Sequence, residues 1–155
     1  MTKLKVSHLL LIVIFITISC RQMWGDNDLG DNFSLLEGDR TEDRVIVYCN
    51  GRSGGACYIG TFIVPVYSRH YDSAGHYAEY VETAKSNDDF IIARTLHISD
   101  KKKNYWIINK SFSLDNCDTK NCDSIIQSNV IGPLDYSQFK AKQGELDINL
   151  QFDKE

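Results

Sequence analysis

Two apolar runs joined by a short polar loop constrain the fold of this chain more than any other feature. DFIIARTLHI, residues 89–98, is followed by the polar SDKKKN and then by YWIINKSF, residues 105–112. Both runs are rich in the β-branched and aromatic residues that favour strands. The sequence therefore predicts an antiparallel hairpin, whose tip carries the solvated, edge-protecting lysines Lys101, Lys102 and Lys103.

Three further segments on the N-terminal side have the composition of strands. FSLLEG and DRVIVYCN, residues 33–38 and 43–50, predict two short strands, and TFIVPVYSRHY, residues 61–71, predicts a third. Pro65 has no amide donor, so the third strand should lie at a sheet edge or carry a bulge. YAEYVETAK, residues 77–85, fits both helical and strand spacing, and its type stays open.

The C-terminal part predicts one helix. Asp135 is suited to N-cap the segment YSQFKAKQG, Gly144 would end that helix, and ELDINLQF, residues 145–152, would form a final strand. Because no βαβ alternation and no internal repeat is present, the expected fold class is α+β. It consists of mostly antiparallel β-sheet with a short C-terminal helix, in a single small domain at residues 32–155.

The first nineteen residues have the features of a secretory signal peptide. Lys3 and Lys5 give a positive start, residues 9–18 (LLLIVIFITI) are apolar, and the small Ser19 precedes Cys20. A transmembrane helix is the alternative, but it needs about 20 apolar residues. This run ends after ten, at polar Arg21 and Gln22 just beyond Cys20. Residues 1–19 are therefore predicted to be removed on export.

Cys20 is predicted to carry a lipid. The pattern T-I-S-C resembles the lipobox of bacterial lipoproteins, although Thr17 stands where that pattern usually has Leu. Lipidation of one of the five cysteines leaves four, an even number that suits disulfide pairing in an oxidising compartment. The alternative is ordinary secretion with one unpaired thiol. Residues 20–31 would then be the lipidated N-terminus and a flexible tether, which places the domain on a membrane of the bacterial cell envelope, facing the periplasm or the exterior.

The charge of the mature chain argues against nucleic acid as a partner. Removal of residues 1–19 takes away two lysines and no acid, which leaves 15 basic and 21 acidic side chains and a formal charge of −6. Nucleic-acid binding and attachment through a polybasic patch both need a basic surface. Membrane contact is therefore expected through the lipid alone.

The four remaining cysteines predict two local disulfides. Three pairings are open to them, and bonds of Cys49 with Cys57 and of Cys117 with Cys122 would each close a short loop. A structural zinc would need paired C-x-x-C knuckles or a cysteine and histidine mixture, so no metal site is expected from these spacings. Three acids near the second pair could offer oxygen to calcium, but no glycine follows them and Lys120 lies among them. They are Asp115, Asp118 and Asp123.

Residues 51–55, GRSGG, match the G-x-S-x-G pattern of a nucleophile elbow. In an α/β hydrolase that turn joins a strand to a helix, which exposes the serine. Here ACYIGTFIV follows and predicts no helix, so the stretch is interpreted as a glycine-rich turn. A small hydrolase that uses Ser53 remains the alternative function, with His70, His76, His97 and Asp72 as candidate partners.

Residues 66–80, VYSRHYDSAGHYAEY, contain the residue types most typical of a binding surface. Tyrosine, arginine and histidine are enriched where proteins hold partners or sugars. Strand alternation would place Tyr67, Arg69 and Tyr71 on one face, which makes them the candidate binding residues. The alternative is that these tyrosines form a half-buried sheet face with solvated hydroxyls.

Three segments also resemble a known family. CRQMWGDNDLGDNFSLLEG, NYWIINKSF and VIGPLDYSQF are similar to a family of small bacterial lipoproteins catalogued as a domain of unknown function. The resemblance covers nearly the whole mature chain. It implies attachment through Cys20 and brings no catalytic residues.

The expected function is that of a non-enzymatic module of the cell envelope. It would bind a protein or a small molecule, or shield against a partner protein as lipoprotein immunity proteins do. No cofactor is expected, because no acid, base or metal set stands in a convincing context.

Overall fold

The structure, a computed structural model, describes residues 26–65 and 77–153. Within these ranges the chain forms two four-stranded antiparallel sheets and two short α-helices, which confirms the predicted α+β class and the single small domain. The strands are β1 Asp26–Gly30, β2 Phe33–Leu36, β3 Val45–Ser53, β4 Ala56–Val64, β5 Glu79–Ser86, β6 Phe90–His97, β7 Lys103–Asn109 and β8 Val130–Leu134. The helices are α1 Thr119–Asn129 and α2 Tyr136–Glu145.

The first sheet has the strand order β1-β2-β3-β4. Gly54 and Gly55 connect β3 to β4 with φ values of +60° and +90°. Two successive positive φ values suit the two-residue turns of twisted hairpins, and glycine adopts them without a steric cost. The predicted strands at residues 33–38 and 43–50 are thus confirmed as β2 and β3. β4 is an edge strand, as Pro65 suggested, and it contains residues 61–64 of the predicted third strand but begins earlier, at Ala56. Residues 66–71 of that prediction lie outside the described residues.

The second sheet has the order β5-β6-β7-β8 and contains the predicted hairpin. β6 pairs with β7 from Phe90 opposite Asn109 to Leu96 opposite Lys103, and residues 98–102 turn the chain. The open segment at residues 77–85 is largely strand, because β5 pairs with β6 from Glu79 onward. β8 joins the other side of β7 after the chain has passed through α1.

The main core lies between the two sheets. The first sheet contributes Phe33, Ile46 and Tyr48, and the second contributes Ile91 and Trp106, all with 3 % exposure or less. The buried Trp106 indole donates to Thr95 Oγ1 at 2.9 Å, so its N–H does not remain unpaired in the core.

The second sheet is buried on its other face as well. Ile92, Tyr105 and Ile107 pack there against Phe139 of α2 and against Ile148 of the C-terminal segment. The domain therefore has three layers, with the second sheet in the middle. This explains why β6 and β7 are nearly continuous apolar runs with little alternation.

Two sequence predictions differ from the structure, and the elements α1 and β8 were not predicted. Residues 26–30, expected in the tether, form β1, because their backbone groups pair with β2. ELDINLQF does not form a strand: α2 continues through Gly144 to Glu145, and residues 148–153 run over the second sheet without ladder pairing.

Helix α1 begins between the two cysteines of the second pair, Cys117 and Cys122. Asp118 caps it by accepting a hydrogen bond from the Asn121 amide at 2.9 Å. Cys122, Ile125 and Ile126 pack on the main core at positions i, i+3 and i+4. That spacing was a readable helical signal, but it was hidden by the interpretation of residues 116–123 as a disulfide loop.

Candidate ligand cleft

Four aromatic rings meet where α2 and the C-terminal segment cover the second sheet. The ring centroid of Tyr105, on β7, lies 5.1 Å from Phe139, 5.4 Å from Tyr136 and 6.2 Å from Phe152. Phe139 and Phe152 stack at 5.8 Å. Separations in this range give aromatic pairs a favourable interaction beyond the area they bury. We call this group, together with the residues that line the space beside it, the aromatic cleft.

Helix α2 supplies one wall of the aromatic cleft. Asp135 and Gln138 form a reciprocal capping box, with bonds of 2.8 and 3.0 Å, which fixes where the helix begins. Tyr136, Phe139, Lys140 and Gln143 then follow at i, i+3, i+4 and i+7, which places them on one helix face. All four line the cleft.

The C-terminal segment supplies the opposite wall. Buried Gln143 donates through Nε2 to the carbonyl of Leu150 at 2.9 Å, and the Ile148 amide donates to the Gln143 carbonyl at 2.9 Å. At the end of the segment, Lys85 Nζ lies 2.6 Å from Asp153 Oδ2. These bonds hold Leu150 and Phe152 against the sheet, although the segment has no strand partner.

The aromatic cleft has a volume of about 270 Å³ and a cationic lining. Arg94 of β6 lies at its floor, with Nε 2.5 Å from Glu82 Oε2 and Cζ 5.5 Å from the Phe152 ring centroid. Exposed Lys140 donates to the neutral amide oxygen of Gln143 at 3.0 Å. The lining contains no carboxylate and consists of Arg94, Tyr105, Tyr136, Phe139, Lys140, Gln143, Leu150, Gln151 and Phe152.

The candidate binding residues from the sequence lie elsewhere in the chain. Tyr67, Arg69 and Tyr71 fall at residues 66–76, outside the described residues, as do His70 and Asp72. The lipid-attachment candidate Cys20 also lies outside them. Their predicted roles stay predictions.

Both predicted disulfides are present. Cys49 is joined to Cys57 across the β3–β4 hairpin, with Cα atoms 5.6 Å apart. Cys117 is joined to Cys122 at the start of α1, with Cα atoms 5.3 Å apart. The structure therefore selects the two local bonds from the three open connectivities.

Ser53 lies in a setting that differs from a nucleophile elbow. It pairs with Ala56 at the end of the β3–β4 hairpin, so a strand precedes it and a strand follows the turn. An elbow needs a helix after the serine, because the amides of that helix help to hold the oxyanion. Of the predicted glycine-rich turn at residues 51–55, only Gly54 and Gly55 form the turn, because Gly51, Arg52 and Ser53 are the last residues of β3.

A second serine does lie beside a histidine and an acid, in the β6–β7 turn. His97 Nδ1 is 3.1 Å from both Ser99 Oγ and Asp100 Oδ1. A catalytic triad needs the serine and the acid on opposite ring nitrogens, so this exposed group is a turn and does not form a relay. The backbone N–H of Lys102 and then the nearby His97 lower the pKa of Asp100 below its usual value.

Two of the three acids considered for calcium, Asp115 and Asp118, already serve local structure. Asp115 accepts a hydrogen bond from Ser113 at 2.8 Å and one from the Tyr48 hydroxyl at 3.1 Å. Asp118 caps α1. Across residues 26–65 and 77–153, no three His, Cys, Asp or Glu side chains are grouped so that they could hold a metal ion.

In the same part of the chain neither helix is both long and apolar enough to cross a bilayer. Comparisons of the sequence with protein-family models and with curated proteins, and of the chain with solved structures, found no significant match.

Proposed function

We propose that this protein is a non-enzymatic lipoprotein of the bacterial cell envelope that binds a small ligand in the aromatic cleft. The observation that carries the binding role is the composition of that cleft. Aromatic rings and cations converge on one space, whereas the chain as a whole is acidic, with a formal charge of −4. Ligand sites typically combine an apolar, aromatic lining with a few placed polar groups.

The construction of the aromatic cleft supports this role. Its floor lies on the middle sheet, and its walls are a capped helix and a segment held by Gln143. Side chains on the sheet and on the helix hold a fixed geometry better than side chains on loops. The lining can stack on a ring, donate hydrogen bonds through Lys140 and Gln143, and attract negative charge.

The cysteine pairing supports the anchor. The two disulfides use four of the five cysteines, and the remaining one is Cys20. A thiol directly after a signal sequence, left over from an otherwise complete set of disulfides, is suited to lipidation.

The anchor can be tested by metabolic labelling with a fatty acid in the bacterial host. We expect the wild-type protein to carry the label and to enter the detergent phase, and Cys20→Ser to lose both properties. Ser19→Ala is the matched control, because it keeps a small residue before the cysteine, and it should be labelled normally. Labelling of Cys20→Ser would refute the anchor.

The binding role can be tested with an exported, soluble Cys20→Ser protein and a panel of small ring compounds, some neutral and some charged. Amide chemical shifts should move saturably at residues 136–143 and 150–152 for at least one compound. Tyr136→Ala should abolish that response, since Tyr136 is 59 % exposed and lines the cleft. Tyr58→Ala, a 65 % exposed tyrosine on β4, is the control. A panel that moves no cleft resonance would overturn the binding role.

A further inference from the structure

We infer that the aromatic cleft selects a single ring that bears one carboxylate, an inference that rests on the binding role proposed above. The ligand class follows from three features of the cleft: its uncompensated positive charge, its size and the presentation of its rings.

The positive charge is centred on Lys140. Arg94 is ion-paired with Glu82, so most of its charge is neutralised within the protein. The described partner of Lys140 is the neutral amide of Gln143, and no carboxylate lines the cleft. A single anionic group on a ligand would therefore meet one cation that is not already neutralised by an acid, and a charge-assisted hydrogen bond is stronger than a neutral one.

The size of the cleft limits the ligand. Its volume of about 270 Å³ lies just below the range of roughly 300–1,000 Å³ that is typical of drug-sized ligands. One six-membered ring with a small substituent fits such a space, whereas a nucleotide or an oligosaccharide would extend far beyond it.

The aromatic rings of the cleft determine which kind of ligand surface can stack on them. Tyr136 is largely exposed, and its ring lies 5.4 Å from the mostly buried Tyr105, so a ligand in the cleft can contact a ring that a neighbouring ring supports. Aromatic faces accept either another aromatic ring or the C–H face of a sugar. A uronic acid and an aromatic acid share this chemistry, since each carries a carboxylate on a six-membered ring whose face can stack on an aromatic side chain.

Two matched pairs of probes distinguish these sources. Methyl glucuronoside is compared with methyl glucoside, and 4-hydroxybenzoate with 4-hydroxybenzamide, by titration of the soluble protein followed at the cleft resonances. In at least one pair the carboxylate should bind about three- to tenfold more tightly than its neutral analogue, as expected for a partly exposed ion pair. This preference should decrease when the salt concentration is raised from 0.05 to 0.5 M. The pair that shows the preference identifies the ligand as sugar-like or aromatic.

Lys140→Gln should abolish the preference, because it should lower the affinity for the carboxylate far more than the affinity for the neutral analogue. Lys142→Gln is the matched control: it removes the same charge from the same helix, but Lys142 pairs with Glu145 at 2.6 Å and does not line the cleft. Equal binding of both members of each pair, or equal effects of the two substitutions, would overturn the carboxylate inference and leave the binding role standing. Failure of all four probes to move the cleft resonances would overturn the inference, while the wider panel of rings would still decide the binding role.

Discussion

Lys110 Nζ lies 3.0 Å from Asp31 Oδ2 and 2.8 Å from the carbonyl oxygen of Asn87. Asp31 belongs to the β1–β2 turn of the first sheet, and Asn87 to the β5–β6 turn of the second. The Lys110 side chain is only 4 % exposed, and a Cβ on Gly30 would lie 2.7 Å from its Nζ. One buried lysine thus connects the two sheets at the end where their first hairpins turn.

Removal of the Lys110 ammonium should destabilise the domain. Lys110→Met keeps the length of the side chain but loses both hydrogen bonds, so we expect a loss of about 1–2 kcal/mol of unfolding free energy in denaturant titrations. Asp31→Asn should cost less, about 0–1 kcal/mol, because Asp31 is 60 % exposed and the amide can still accept. Lys102→Met, on the exposed hairpin tip, is the control. Equal stability of the Lys110 and Lys102 variants would contradict this connection.

Substitution of two glycines by alanine should change the stability of the domain in opposite directions. Gly132 has φ +146°, and a Cβ there would lie 2.5 Å from Trp106 Cε3, so Gly132→Ala should cost about 2–4 kcal/mol. Gly144 lies within α2 with no atom near the position of an added Cβ, so Gly144→Ala should stabilise by up to about 1 kcal/mol. Thermal unfolding of both variants measures the difference. A Gly132→Ala protein as stable as wild type would refute the packing against Trp106.

Mass mapping of the exported protein without reduction should recover two linked peptides. One joins Cys49 to Cys57 and the other joins Cys117 to Cys122. Paired alanine substitutions should cost about 2–3 kcal/mol for each bond in the chain-entropy model. The Cys49 and Cys57 pair should cost more, because Cys49 is 4 % exposed and packs with Val45 and Val47. A linkage between the two pairs would contradict the structure.

The carboxyl of Asp100 should titrate below its usual pKa. Because the folded-state pKa is lowered, its contribution to stability is present above the unfolded-state value and is lost as the pH falls through the folded-state value. The Lys102 amide is the largest cause, so His97→Gln should raise the pKa only partly toward its usual value. Carbon-13 NMR titration of the carboxyl tests this, and a full return to the usual value in that variant would assign the shift to His97 instead.

A serine-directed fluorophosphonate probe should not label Ser53. The side chain stands at a hairpin tip between two strands and lacks the following helix that an elbow requires. Labelling that disappears in Ser53→Ala would establish the hydrolase alternative. Ser99 lies beside His97, so Ser99→Ala is the control that detects labelling at that serine.

Local patterns were sufficient to predict much of the fold. The β6–β7 hairpin, β2, β3 and the start of α2 at Asp135 were visible because each depends on residues that are adjacent in sequence. β8 was not predicted: Val130–Leu134 contains Gly132 and Pro133, which are typical of turns, and the segment is a strand only because the edge of β7 is available beside it.

The aromatic cleft could not be predicted from local sequence patterns. Its rings come from β7, α2 and the C-terminal segment, and Arg94 comes from β6, so no single segment contains the site. The sequence drew attention instead to Tyr67, Arg69 and Tyr71, which are clustered along the chain. Only the face of α2 that carries Tyr136, Phe139 and Lys140 was readable in advance, and nothing in the sequence showed which sheet face it would cover.

The early start of β1 limits how far an anchored domain can travel. Only residues 21–25 separate Cys20 from Asp26, and the six Cα steps between these two residues reach at most about 20 Å when fully extended. A lipid on Cys20 would hold the domain beside the headgroups, where anionic lipids would repel its net negative charge. Components on the far side of the envelope would be out of reach. The length of the linker at residues 21–25 would therefore determine which molecules the anchored protein can contact.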